Sequence, residues 1–312
     1  MKKDIYQAVT DQILTALDAG VVPWQLPWVK RADIPRNLLT KKEYSGTNVM
    51  MLALIQYSKG YATSAWGTFK QIQIAGGKVR KGEKSPAFVV FWQVKDRECK
   101  ETGKVTSVPF LRRSAVFNLE QADWADGEPD VGQNLPAFEH STLYRCELAV
   151  DRWDCKPEIR HGFNQALYRI KEDSVEMPEL SAFHSVEGYY STLFHELVHS
   201  TGAASRLGRA EICQRSLPDR EAYAREELVA EFGAAFICAA LGVEPDGDSS
   251  PAYIDYWRKF LTDHPRAVVK AASKAQAAAD LVLKGYRLAF VGDTIQATEA
   301  APIPGGAPVA VG

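Results

Sequence analysis

The sequence predicts an α+β chain in two domains, the first mixed and the second mainly helical. Three observations carry this reading. Charge is divided unevenly: residues 1–118 hold 19 Lys and Arg against 9 Asp and Glu, a balance of +10, while the rest hold 18 against 30, a balance of −12, within a net charge of −2. Such asymmetry marks two domains with different partners, and the basic half attracts a polyanion. Residues 87–94 and 105–118 have the β-branched and aromatic content of strands, whereas most of the chain after residue 186 carries apolar stripes at helical spacing. At 312 residues and 46% hydrophobic, the chain can bury a sizeable core.

In order, residues 5–17 read as an amphipathic helix, with Ile5, Val9, Ile13 and Leu17 at four-residue steps and Gly20 closing it. Pro23 to Trp28 cannot continue a helix and reads as an extended loop presenting two indoles. Residues 47–57 and 63–74 read as two more helices, the second stopping at Gly76 and Gly77. The two strands follow as a hairpin, with 96–104 as its loop. The acidic, turn-rich stretch 119–140 reads as a linker between a basic domain (1–118) and a second domain (141–296). That domain is expected to open with a short irregular β region that includes 166–170. Helices follow over 187–202, 218–241, 253–261 and 265–283, and 297–312 is a Pro- and Gly-rich tail.

The chemistry concentrates in His195-Glu196-Leu197-Val198-His199. On a helix, side chains at i and i+4 project from one face, so the two imidazoles can share one metal ion. Glu196, rotated by about 100°, is placed to act as general base on a water at that ion. Its apolar neighbours Leu193, Phe194, Leu197 and Val198 argue against a freely exposed helix. A catalytic zinc needs a third protein ligand. Glu227 lies on the next long helix with Glu231 one turn later, a like-charged pair that calls for a cation between them. Glu227 is assigned as the third ligand, with Glu226 as the fallback, and Glu231 as the carboxylate that receives the free N–H of a ligating histidine. The donor of a hydrogen bond to a developing oxyanion stays open among Tyr189, Tyr190, Tyr223, Tyr253 and His184.

His195-Glu196-x-x-His199 followed by Glu227-x-x-x-Glu231 resembles the gluzincin arrangement of metallopeptidases. The wider runs 189–202 and 225–236 resemble more closely the peptidase-like domain of ArdC-type antirestriction proteins of conjugative plasmids. In the first domain, Trp24-x-x-x-Trp28, Pro35-Arg36-Asn37, the run 44–49 that begins at Tyr44, and the run 78–84 resemble the single-stranded-DNA-binding domain of that family. The resemblance implies a DNA-binding domain joined to a zincin-like peptidase domain, with Zn2+ or another divalent ion such as Mn2+. It further implies single-stranded DNA and a host protein as partners, and protection of incoming DNA from restriction during conjugation. Candidate DNA contacts are Trp24, Trp28, Arg36, Asn37, Tyr44, Lys78, Arg80, Lys81 and Lys84; Trp66, Phe69 and Trp92 read as core. The alternative function is a DNA-protecting or replication-accessory binding protein whose metal site is structural, regulatory or decayed.

No signal-peptide pattern and no run of about 18 apolar residues occurs, which implies a cytoplasmic protein without a membrane partner. Five cysteines without C-x-x-C spacing indicate neither a disulfide framework nor a thiolate zinc site.

Overall fold

The computed structural model describes residues 4–26, 34–98, 105–125, 127–129, 131, 142–213, 220–244 and 250–292. Helix α1 (Ile5–Asp18) begins at Asp4, whose side chain accepts the Tyr6 amide at 3.2 Å, and buries Val9, Ile13 and Leu17. After it, Pro23–Gln25 forms one 3-10 turn. Strand β1 (Arg36–Asn37) precedes α2 (Thr47–Lys59), which starts beyond Gly46. Gly46 sits at φ +56°, a region open to glycine, and its amide donates to Gln276 Oε1 at 2.9 Å.

The expected helix over 63–74 is corrected. Ala65–Gly67 is a strand, β2, and helix α3 covers Phe69–Ile74 alone. Thr68 is extended and forms a capping box with Gln71, while Trp66 pairs with Asn118 and is fully buried. Sheet pairing overrides the local pattern here. Strand β3 (Gly77–Val79) leads to the expected hairpin, β4 (Ala87–Glu98) and β5 (Val105–Asn118), paired antiparallel from Ala87↔Val116 to Glu98↔Val105. The first sheet has the order β1-β2-β5-β4. Ordered structure continues past residue 118: β6 (Ala122–Trp124) pairs with β3, and the Trp124 ring lies where a Cβ at Gly77 would fall, 2.5 Å away. The expected linker therefore begins with a 3-10 turn (Leu119–Gln121) followed by a strand, and most of its remainder lies outside the described residues.

The second half opens on a helix that the sequence reading did not anticipate, α4 (Thr142–Asp151). Its inner face combines Cys146, Ala149 and Val150 with a buried arginine, Arg145, whose Nε donates to the Leu241 carbonyl at 2.7 Å. A charged residue on the buried stripe hides helical periodicity. Strands β7 (Glu158–His161), β8 (Leu167–Arg169) and β9 (Ser174–Met177) form a sheet of order β7-β9-β8, with β8 antiparallel at its edge. Then come α5 (Val186–Ser200), α6 (Ala210–Cys213), α7 (Arg220–Leu241), α8 (Pro251–Asp263) and α9 (Ala267–Gly292). The tail 297–312 falls outside the described residues.

One core runs through both halves: Val9, Ile13, Trp24 and Met50 belong to the same buried cluster as Phe194, Phe232, Trp257 and Val282. The α+β expectation holds. Among the described residues, no helix is long and apolar enough to cross a membrane.

Candidate metal centre

Helix α5 is capped by Ser185, whose side chain accepts the Gly188 amide at 2.9 Å. It buries Tyr189, Leu193, Phe194, Leu197 and Val198, which turns His195 and His199 toward α7. The two ring Nε2 atoms lie 3.2 Å apart. Glu227 of α7 faces both, with Oε2 at 3.5 Å from His195 Nε2 and Oε1 at 3.5 Å from His199 Nε2. One ligand atom from each residue falls within a 4.8 Å cluster, close enough for a single ion. Burial alone would lower the His195 pKa, yet the Glu227 hydrogen bond and the charges of Glu231, Glu196 and Glu227 hold it up at about 9. Burial would raise Glu227, but His195 and His199 bring it down to about 2. Carboxylates thus crowd a pair of imidazoles, an environment that favours a cation, and the donor set of two imidazoles and a carboxylate fits a zinc-type site.

Close approach of the two helices depends on Gly233. A Cβ there would meet Val198 Cγ1 and Cγ2 at 2.8 Å, so alanine would force α7 away from α5. Gly233→Ala is expected to cost about 1–3 kcal/mol in chemical denaturation, as overpacking typically does. An unchanged unfolding midpoint would contradict this account of the helix contact. Gly202, just past α5, makes room for a neighbour rather than ending the helix. Thr201 caps the helix, and Gly202 leaves room for Ile212 Cγ1, 2.6 Å from where its Cβ would be.

Behind His199 stands Glu226 rather than the expected Glu231. His199 Nδ1 lies 3.3 Å from Glu226 Oε1, and Arg209 Nε donates to Glu226 Oε2 at 2.9 Å. Arg209 also donates to Thr201 Oγ1 at 2.6 Å and to the Val198 carbonyl at 2.8 Å, closing the C-terminal end of α5. Burial pushes the Glu226 pKa up, but His199 and Arg209 bring it below the ordinary carboxylate value. Glu231 instead accepts the Tyr253 hydroxyl at 2.8 Å. Adjacent carboxylates on a helix point about 100° apart, so 226 and 227 take separate roles that sequence spacing alone left open.

Glu196 is buried, and its Oε2 accepts the Tyr168 amide of β8 at 2.7 Å. That edge strand is itself locked. The Tyr168 hydroxyl donates to Asp173 at 2.8 Å, and Arg206 donates to both Asp173 oxygens at 2.7 and 2.9 Å. Arg206 holds the Asp173 pKa below the ordinary value, against burial, which would raise it. A depressed carboxylate stabilises the fold above its unfolded-state pKa, and that stability is lost as pH falls through the folded one. Asp173→Asn should therefore flatten the acid limb of the stability profile; an unchanged limb would show that this clamp contributes nothing there.

Among the candidates for an oxyanion donor, Tyr189 shares a 2.7 Å hydrogen bond with His161, Tyr190 is buried, Tyr253 is committed to Glu231, and His184 is exposed. Tyr223 is 49% exposed and hydrogen-bonds Glu227 from one turn earlier on α7.

The proposed DNA contacts separate. Trp24 is 2% exposed, packed against Phe232 and Trp257 at 5.2 and 5.8 Å between ring centroids, so it offers no stacking face. Arg36 is buried, and Asn37 bonds the Tyr44 hydroxyl at 3.1 Å while its Oδ1 accepts the Leu39 and Thr40 amides. These three residues build the first domain. Arg80 is engaged by Glu83 at 3.4 Å and Asp123 at 3.9 Å, whereas Lys78, Lys81 and Lys84 are exposed. Trp28 lies outside the described residues. Trp66 is core as expected, but Phe69, the first residue of α3, is half exposed, and Trp92 is 57% exposed on the part of the β4–β5 hairpin that extends past the helices covering its base.

A helix bearing His-Glu-x-x-His, a facing helix that supplies a carboxylate, and a mixed sheet whose edge strand binds the motif glutamate define a zincin-like domain. Residues 153–274 match the family described as zincin-like metallopeptidase, and residues 3–117 match the N-terminal domain of the anti-restriction factor ArdC. The chain belongs to the ArdC family of antirestriction proteins. It is 38% identical to the crystal structures of antirestriction ArdC from plasmid R388. The metal-free form has a TM-score of 0.74 over 91% of this chain and 98% of that one. The Mn(II)-bound form has a TM-score of 0.72 over 90% and 98%. It is 35% identical over 292 residues to the uncharacterized protein y4eC of Sinorhizobium fredii, covering 89% of this chain and 91% of that protein. Escherichia coli DNA primase TraC is 33% identical over 302 residues, yet the match spans only 27% of TraC.

Proposed function

We propose that this antirestriction protein binds single-stranded DNA through its basic half and hydrolyses a peptide bond of a host protein at the metal centre, protecting incoming plasmid DNA during conjugation. The observation that carries the catalytic part is the convergence of His195, His199 and Glu227 beside a general-base candidate, Glu196, anchored on an edge strand. His195, His199 and Glu227 would hold a divalent ion, Zn2+ by donor chemistry, with Mn2+ supported by the R388 relative. Such an ion supplies Lewis acidity, activating water and polarising a carbonyl. Glu196 keeps Oε2 on the Tyr168 amide and uses Oε1 to take the proton of the attacking water and pass it to the leaving amine. Tyr223 donates its hydroxyl to the developing oxyanion, and Glu226 holds the His199 ring through Nδ1. An edge strand such as β8 suits an extended peptide, which binds by adding a strand.

For DNA, the balance of +10 over residues 1–118 supports a phosphate interface that includes Lys78, Lys81 and Lys84. The aromatic platform belongs on the β4–β5 hairpin. Trp92 stands opposite Leu111 on one face; Phe91 opposite Arg112, and Phe110 opposite Gln93, share the other. Arg113 covers Phe88 at 5.3 Å. Single-strand binders combine such stacking faces with cations. Trp92→Ala should weaken single-strand affinity by about 1–3 kcal/mol, and log affinity of the wild type should fall linearly with log salt. Equal affinity of the variant, or a salt-independent wild type, would remove this hairpin interface. The likeness to part of TraC favours a second reading, a DNA-bound accessory module without proteolysis.

A further inference from the structure

Trp24 belongs to the first half of the chain, yet its hydrogen bond leads into the wall of the metal centre. The indole Nε1–H donates to the Tyr253 hydroxyl at 2.9 Å, and that hydroxyl donates to Glu231 Oε1 at 2.8 Å. The direction of both bonds follows from chemistry. An indole can only donate, and an ionised carboxylate can only accept, so the single Tyr253 proton must point at Glu231. Glu231 stands one turn after Glu227 on the same face of α7, and Glu227 faces both histidines. Packing fixes the donor end: Phe232 and Trp257 hold the indole at 5.2 and 5.8 Å between centroids, and Tyr253 meets Trp257 at 6.2 Å. Phe232 follows Glu231 directly in α7, so the helix that carries the carboxylates also grips the indole.

We propose that Trp24, acting through Tyr253, is a positioning residue for the metal centre: it orients the Glu231 carboxylate one helical turn from the metal ligand Glu227, so that a residue of the N-terminal half sets the affinity of the site for a divalent cation. This rests on the metal reading above. A negative charge held close to a cation site favours the bound ion, and groups that fix the charges around a metal tune its affinity.

The test is Mn2+ and Zn2+ affinity of the full chain, measured by competition with a chromophoric chelator, alongside thermal unfolding without metal. Glu231→Gln should weaken binding about 10- to 100-fold. Trp24→Phe should weaken it about threefold to tenfold, the worth of one neutral hydrogen bond, and Tyr253→Phe, which removes a bond to a charged acceptor, about tenfold or more. Once Tyr253 is Phe, adding Trp24→Phe should cause no further loss, because the chain is already cut. To separate the hydrogen bond from packing, β-(3-benzothienyl)alanine at position 24 keeps the ring shape and lacks the N–H. It should reproduce the loss of affinity while leaving the unfolding temperature near that of wild type. Wild-type affinity in the benzothienyl variant, or losses from Trp24→Phe and Tyr253→Phe that simply add, would overturn the proposal while leaving the metal site intact. A wild type that binds neither ion would overturn the metal reading and this inference with it.

Discussion

Glu226→Ala is expected to destabilise the protein by about 3–5 kcal/mol, the usual cost of removing one partner from a buried ion pair. Both members are buried, and the Arg209 guanidinium would be left facing His199 and the end of α5 with its strongest acceptor gone. The bonds to Thr201 Oγ1 and the Val198 carbonyl would remain, but neither carries a compensating charge. Denaturant titration of the metal-free protein reads the effect. A double replacement, Glu226→Leu with Arg209→Met, should recover much of the loss, since apolar side chains of similar size often substitute for such a pair without penalty. A single-variant loss below about 1 kcal/mol would place the pair among weak surface bridges and contradict its burial. The same variant should also bind metal less tightly, because His199 Nδ1 loses the acceptor that orients its ring.

Glu196→Gln is expected to reduce peptide hydrolysis by about 100- to 10,000-fold, the range of general acid–base catalysis, with metal content unchanged. Glutamine retains a carbonyl oxygen that can accept the Tyr168 amide, so the side chain should stay in place while the base is lost. Restriction of incoming DNA in cells that express wild type, Glu196→Gln or Trp92→Ala separates the two readings of function. Loss of protection by Glu196→Gln, in a variant that still folds and binds DNA, would make metal chemistry the mechanism. Full protection by it, together with failure of Trp92→Ala, would make the protein a DNA binder on a peptidase scaffold. Trp24 is a poor choice for the binding arm, because its replacement would disturb the core and the wall of the metal centre together.

The strongest local signals are legible in the sequence for physical reasons. His195, Glu196 and His199 lie within a single helical turn, so their geometry follows from the helix itself. The β4–β5 hairpin was legible because both strands are long and rich in β-branched and aromatic residues. Reading failed where a residue's role depended on a distant partner. Trp24 lies among prolines and looks like a loop aromatic; only Phe232 and Trp257, more than 200 positions away, make it core. Trp92 alternates like a strand core residue, yet the hairpin extends past the helices that would have covered it. Strand β2 was taken for helix because its pairing with β5 has no local signature.

Legible in the residues alone are two imidazoles and an intervening glutamate on one helix, two candidate carboxylates on another, and a basic half. Those features are periodic or compositional, and both properties survive without knowledge of what packs where. Tertiary structure alone decided which glutamate faces the histidines and which pairs with Arg209, why Gly233 must have no side chain, and that Trp24 reaches Glu231 through Tyr253. Each of these depends on the approach of two segments remote in sequence, and such an approach is set by the whole packed core rather than by any local pattern.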